Sequence, residues 1–246
     1  MEKLLLIFSR NWVNFKLKIL NIFSLIILVN FILLIKELSN YTKIDVDKGE
    51  TPLDVYNLCS SIRETFCLSY AIRKNNNLYL FFQENYVLIK FKGTELRYLG
   101  PDERSQALLL EKALNKVRKD RNIDNKQWIK STPGIFIRRF ADILSFINIF
   151  ENFNGNIFFL MDNGQSVKQK IVPLNLEKLD VNKFEQNFFI IPFNPISEED
   201  SDIIHSFEEV KNIKLVSLSK IEGVDNKILY INFLKDQQDL FKNIEK

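Results

Sequence analysis

The sequence predicts an α/β domain built on a mostly parallel sheet, and three observations carry that reading. Strand-like and helix-like segments alternate along the chain, as they do where helices cover a parallel sheet. Phe188–Ile191 is a short, wholly apolar run of the kind that a strand buried on both faces requires. Asp102–Asp120 is a clear helix. Leu110, Ala113, Leu114 and Val117 fall at helical spacing, with Asp102 and Glu103 in the first turn and Lys116, Arg118 and Lys119 in the last, the polarity a helix dipole favours.

The elements follow in order. Ile19–Ile35 is an uncharged run of 17 residues, at the short limit of the roughly 17–25 that span a bilayer. Three readings of it stay open: a membrane anchor, a buried helix-plus-strand extension, or a translation start assigned too far upstream, with Val29 as an example of the true one. Under each of them Asn30–Ile35 can serve as a strand. Residues 1–29 are thus set apart as an apolar extension, and 30–246 are read as one domain. Ser39–Thr51 is polar, and the breakers Gly49 and Pro52 make it a loop. Asp54–Ala71 is a helix with Val55, Leu58, Cys59, Ile62 and Phe66 on one stripe. After a turn at Asn75–Asn77, Leu78–Phe82 and Tyr86–Phe91 are strands. Past the Asp102–Asp120 helix, Arg121–Lys130 is a charged loop carrying Trp128. Ser131–Ile137 turns into an extended piece, and a helix crosses Arg138–Phe150. Asn156–Met161, Phe188–Ile191 and Lys214–Leu218 are strands. Glu198–Val210 and Asn226–Lys242 are helices.

Composition excludes several functions. With 34 Lys+Arg against 31 Asp+Glu, the net charge of +3 gives no strong basic field that would by itself point to nucleic acid. One histidine and two cysteines exclude a zinc cluster, a disulfide scaffold and a two-histidine metal site, so no metal is expected. Neither GxGxxG nor a Walker pattern is present. His205 stands on an acidic stretch with no second ligand and reads as a surface or interface residue. Cys59 and Cys67 read as reduced core residues of the 54–71 helix.

The central block is distinctive. It runs FKGTEL, then LGPDERSQALLLEKAL, then a Trp, then STPGIFIRRF, and carries Gly93, Glu95, Leu96, Pro101, Asp102, Glu103, Arg104, Trp128, Ser131, Thr132, Pro133, Gly134, Ile135, Arg138 and Arg139. This order of residues resembles the archaeal tRNA pseudouridine-54 N1-methyltransferase family of the SPOUT superfamily. Flanking matches are Leu53–Asp54, the Leu68–Lys74 segment with Tyr70 in a histidine's place, Phe159–Gly164, Ser197–Asp200 and Val216–Ser219. The resemblance covers about Asn30 to Leu234.

The resemblance implies a SPOUT-type, mostly parallel sheet flanked by helices, with the C-terminal part tied in a trefoil knot. It also implies a homodimer in the cytoplasm that binds S-adenosyl-L-methionine (SAM) in a bent pose and methylates N1 of pseudouridine 54 in the tRNA T loop. A membrane contact is possible only through residues 1–35. On the matching positions, the cofactor would meet Leu160, Pro192, Leu218, Ser219, Asn226 and Ile228, and tRNA would meet Arg73, Arg138 and Arg139. Asp54 is the candidate catalytic acceptor, because the N1 proton must leave as the nitrogen becomes a nucleophile. Each role has a plainer reading: Asp54 as a helix N-terminal acid, the arginines as the solvated start of a helix, and Asp102–Arg104 as a helix cap or dimer contact.

The sequence also departs from the family. The first cofactor loop of the family is glycine-rich, whereas Ile191–Ser197 here has no glycine and two prolines, which remove backbone donors. The Gly-Arg pair that precedes this Asp in the family is missing before Asp54, with Pro52 in its position. In the last loop only Asn226 survives, and Ile228 stands at a cysteine's place. Two function classes follow: an active SAM-dependent tRNA methyltransferase, which the family favours, or a SPOUT-fold RNA-binding or dimerisation protein that has lost cofactor binding.

Overall fold

The computed structural model describes residues 28–119, 127–161, 174–176, 186–195, 203, 206–207, 209–210, 212–218 and 221–244. The strands are β1 (Leu28–Ile35), β2 (Asn76–Phe82), β3 (Val87–Lys92), β4 (Ile129–Thr132), β5 (Ile135–Arg139), β6 (Asn156–Met161), β7 (Leu174–Asn175), β8 (Gln186–Pro192) and β9 (Ile213–Ser217). The helices are α1 (Lys43–Lys48), α2 (Leu53–Phe66), α3 (Glu103–Lys119), α4 (Ile143–Ile147) and α5 (Val224–Ile244), and a 3-10 turn over Asn148–Phe150 follows α4.

The described strands form one sheet in the order β4-β5-β3-β2-β1-β8-β6-β9-β7. From β2 to β7 every pairing is parallel, and β3, β5 and β4 add an antiparallel end. The expected mostly parallel α/β sheet is therefore present. β1 and β8 sit at its centre, where near-continuous apolar sequence is needed because both faces are covered. On one face Phe31, Leu33, Ile35, Leu80, Phe158 and Ile191 pack with Leu58 and Ile62 of α2, Leu110 and Ala113 of α3, and Ile228 and Ile231 of α5. On the other, Ile32, Leu34, Phe81, Phe159 and Ile190 pack with Phe146, Phe150 and Phe207. The phenylalanine-rich composition is used here: Phe81 and Phe146 stack at 3.8 Å between ring centroids, and Phe150 meets Phe188 edge-on.

Asparagines fasten the amino-terminal ends of the parallel strands. Asn77 donates to Asn30 Oδ1 (3.0 Å), and Asn30 donates to the Asn187 carbonyl (3.2 Å). Asn156 donates to Asn187 Oδ1 (3.3 Å), and Asn76 donates to Asn232 Oδ1 of α5 (2.9 Å). All six side chains are buried. A buried amide is costly without a partner, so these contacts pin the register of β2, β1, β8 and β6.

Several expectations are corrected. The apolar run over Ile19–Ile35 is not one spanning helix, because its last eight residues are β1, paired on both sides. Among the described residues no helix is long and apolar enough to cross a membrane. Residues 1–27, His205 and most of the expected Glu198–Val210 helix lie outside the described residues. The 39–51 loop contains α1, built on a capping box between Thr42 and Asp45 and closed by Gly49 at φ +75°. The hydrogen bonds from Thr42 hold the Asp45 carboxyl below its usual range. α2 stops at Phe66 rather than Ala71, since Cys67 turns extended and bridges to Ile72. Cys67 is thus a half-buried cap residue, while Cys59 is core. Burial pushes the Cys59 thiol up to about 12.

The largest correction is Arg138–Phe150. Arg138 and Arg139 end strand β5, and the helix begins only at Ile143, where Asp142 accepts from Ser145 N at 2.7 Å. β-Branched Ile135 and Ile137 favour the strand, and an Asp N-cap fixes the helix start. Asp142→Ala removes this cap and should lower the urea midpoint with an unchanged m-value.

Candidate active site

Parallel strands deliver their carboxyl ends to one rim, and in open α/β sheets that rim is where ligands bind. Here it comprises the carboxyl ends of β1, β8, β6 and β9. Two hydrogen bonds clasp the segment after β8 to the end of β1: Phe193 N donates to the Leu34 carbonyl (2.9 Å), and Lys36 N donates to Asn194 Oδ1 (2.8 Å).

Asp54 stands at the same end of β1. The chain leaves β1 through residues 36–42 and returns at α2, whose first turn holds Asp54. Its Oδ2 accepts from Ser39 N at 2.6 Å, and its Oδ1 accepts from Val55 N at 2.9 Å. The carboxylate is half-buried, sits where the helix dipole favours negative charge, and keeps a lone pair on each oxygen for a further donor. Pro52 before α2 gives no side-chain cap. Asp54 therefore does what a helix N-terminal acid does and also ties the post-β1 loop to α2.

The proposed cofactor residues divide. Leu160 near the end of β6, Leu218 after β9 and Ile228 in α5 are buried in one core cluster beneath the rim. Pro192 is the last residue of β8. Asn226 is exposed in the first turn of α5 and donates to the Glu222 carbonyl (3.0 Å). Ser219 lies outside the described residues. The chemistry of the rim fits an adenosyl sulfonium. Phe193 after β8, and Ile221 and Val224 after β9, are partly exposed apolar groups packed on the core. Glu222 and Asp225 beside them offer carboxylates to hydroxyls or to positive charge.

The arginines also divide. Arg73 is forked onto Asp236 of α5 by two bonds of 2.9 and 2.7 Å. Arg138 lies over the Phe140 ring, 4.6 Å from its centroid, and Arg139 follows it at the end of β5. Asp102 caps α3 by accepting from Ser105 N (2.8 Å), and Arg104 pairs with Asp47 of α1. Both contacts lie within the fold, one capping α3 and the other tying it to α1.

The two halves of the central block meet backbone to backbone. Lys92 N donates to the Gly134 carbonyl (2.8 Å). Gly134 has φ +81°, and a Cβ there would lie 2.5 Å from Leu96 Cα and from Leu96 N. A Cβ at Gly93 would collide with the carbonyl oxygens of Asn76, Arg73 and Lys74. Gly134 thus welds the 133–134 turn to the 93–96 turn, and Gly93 seats that same turn against the backbone of residues 73–76. Sequence reasoning missed this weld, and missed Ser39 and Asn194 as rim partners, because each joins positions far apart in the chain. The positive-φ requirement of a Pro-Gly turn was the available signal for Gly134.

Most of the chain also matches known proteins. Residues 37–215 match a family model described as "Putative SAM-dependent RNA methyltransferase". A tRNA (pseudouridine(54)-N(1))-methyltransferase of Methanocaldococcus jannaschii is 37% identical over 172 residues, covering 67% of this chain and 74% of the relative. Proteins of the same name from Methanococcoides burtonii and Methanocella arvoryzae are 28% and 26% identical, over 71% and 79% of this chain and 79% and 90% of their own. With the matched region spanning the sheet from the end of β1 to β9, the chain belongs to the family of SAM-dependent RNA methyltransferases that contains the archaeal tRNA (pseudouridine(54)-N(1))-methyltransferases.

Proposed function

We propose that this protein methylates N1 of pseudouridine 54 in the T loop of tRNA, in the cytoplasm, with SAM as donor. When bound, SAM supplies a methyl already activated on sulfonium sulfur. The observation that supports the reading most is the position of Asp54, a carboxylate held by Ser39 N at the mouth of the rim. Pseudouridine N1 carries a proton and attacks only as that proton leaves. A fixed carboxylate accepting it as a hydrogen bond orients the nitrogen and offsets the charge that develops. Phe193, Ile221 and Val224 would exclude water from the adenosyl side, and Asp225 and Glu222 would hold its polar groups. Arg138 and Arg139 are assigned to the tRNA backbone, where guanidinium forks suit phosphate. Arg73 is assigned to the α5 tie instead, since its fork already grips Asp236.

The test is incubation with SAM and tRNA bearing pseudouridine at position 54, followed by nucleoside mass spectrometry. One methyl on that pseudouridine is the expected product. No product, together with no heat of SAM binding at millimolar ligand, removes the enzyme reading.

We assign the remaining features from the same kinship. Residues 30–246 act as one domain, with residues 1–29 as an added extension, and the C-terminal part is threaded as a trefoil knot. An experimental trace showing an unthreaded backbone would overturn the knot. The protein works as a homodimer. Large side chains stand exposed on two helices that pack together: Leu53 and Tyr56 on α2, and Leu229 and Phe233 on α5, each more than two-fifths exposed. Apolar groups of this size left in water suit a second copy. Phe233→Glu should halve the sedimenting mass while leaving the circular dichroism spectrum intact.

A further inference from the structure

One row of side chains crosses the antiparallel end of the sheet in register. Lys130 of β4 pairs with Phe136 of β5, Phe136 with Lys90 of β3, and Lys90 with Tyr79 of β2. Paired residues share a face, and this face is opposite the one covered by α2 and α3, because Ile129, Ile137, Ile89 and Leu78 alternate onto that side. Lys130 is exposed, and Phe136, Lys90 and Tyr79 are partly so. Trp128, 39% exposed, closes over the row: Lys90 Nζ lies 5.2 Å from the Tyr79 ring centroid and 5.7 Å from that of Trp128.

The charges here are not balanced. Glu95 is the carboxylate nearest in effect: it pairs directly with Lys92 and acts on Lys90 and Lys130 from farther off, with no close ion pair to either among the described residues. Burial first, and then the nearby Lys92, lower the Lys90 ammonium, with Glu95 opposing them in part. The basic stripe continues past the sheet edge. Lys116 Nζ of α3 donates to the Lys130 carbonyl (2.7 Å), and Lys112, Lys116 and Lys119 line a groove of about 510 Å³ with Asn115. Cations that outnumber the one neighbouring acid, Glu95, and that are interleaved with aromatic rings match the chemistry of an RNA strand. Phosphates take the ammonium groups, and bases stack on the rings.

We propose that Trp128, Phe136, Lys90 and Lys130, continued by Lys116 and Lys112, form a docking surface for a segment of the substrate RNA outside the loop that carries the reacting base. This rests on the function proposed above. It adds a surface that is separate from the rim and draws on residues of β3, β4, β5 and α3. The occupant is RNA rather than a second copy of the chain, because a self-contact would set lysine against lysine.

Trp128→Ala, Lys90→Met and Lys130→Met test the surface, each measured for tRNA affinity over a range of KCl concentrations, for SAM affinity and for sedimentation. Trp128→Ala should weaken tRNA binding about 5- to 100-fold, as loss of one stacked base does. The double variant Lys90→Met with Lys130→Met should flatten the slope of log Kd against log salt by about 1.4. SAM affinity and sedimentation should not change. Unchanged affinity and slope, with SAM binding intact, would overturn the surface and leave the proposed reaction standing. A change in sedimentation would instead mark a protein interface and overturn it too. If the unaltered protein holds no tRNA at all, the surface and the reaction both fall. Lys130 is exposed at the sheet edge, so its replacement reads binding even if Trp128→Ala proves unstable.

Discussion

Asp54→Asn lowers the rate of methyl transfer about 10²- to 10³-fold while SAM affinity stays within about twofold, as loss of a positioned proton acceptor does. The replacement keeps the shape of the side chain and one oxygen, which can still accept from Ser39 N. It removes the charge that accepts the N1 proton and turns half of the acceptor set into a donor. The effect should fall on kcat, because the hydrogen bond strengthens as the nitrogen loses its proton. Single-turnover kinetics with saturating SAM would measure it, alongside a calorimetric titration of the cofactor. An equal loss of rate and of SAM affinity would mark Asp54 as a structural acid that holds the post-β1 loop.

Gly134→Ala costs about 3–5 kcal/mol, the range reserved for strain added to collision. A left-handed conformation costs an L-residue about 1–2 kcal/mol by itself. Here the added Cβ also runs into backbone, at Leu96 Cα and N, which cannot rotate away as a side chain could. Gly49→Ala is the internal control. It shares the left-handed angle, with φ +75°, but nothing lies within 4 Å of its would-be Cβ, so it should show the conformational part alone. Urea denaturation of both variants gives the difference, which is the collision. Equal losses at the two positions would show that the 93–96 and 133–134 turns do not bear on each other.

The sheet was legible where its physics is local. The apolar runs at Asn30–Ile35, Leu78–Phe82, Asn156–Met161 and Phe188–Ile191 all became strands, and the 102–120 helix ended within one residue of its expected bounds at each end. Local reasoning failed where two signals compete. Arg138–Phe150 has helix-forming stretches, yet β3 recruits Arg138 and Arg139 into the ladder through Leu88 and Val87. α1 was hidden because it is one short turn-and-a-half with only Ile44 and Val46 apolar among its six residues, although Thr42, Asp45 and Gly49 carried its caps in plain order.

For the site, the sequence pointed to Asp54 and to the strand ends. It could not reveal that Arg73 is held by Asp236, 163 residues away. Nor could it show that Lys130, Phe136, Lys90 and Tyr79 stand in one row, since that depends on register.

The asparagine contacts at the amino ends of β1, β2, β6 and β8 have a consequence for how this protein can change. The strands are riveted at one end, and the candidate site lies at the other. Loops on the working end, including the proline-bearing turn after β8, are therefore free to be rewritten without loosening the frame beneath them. A chassis bolted at its base can accept new tooling at its top.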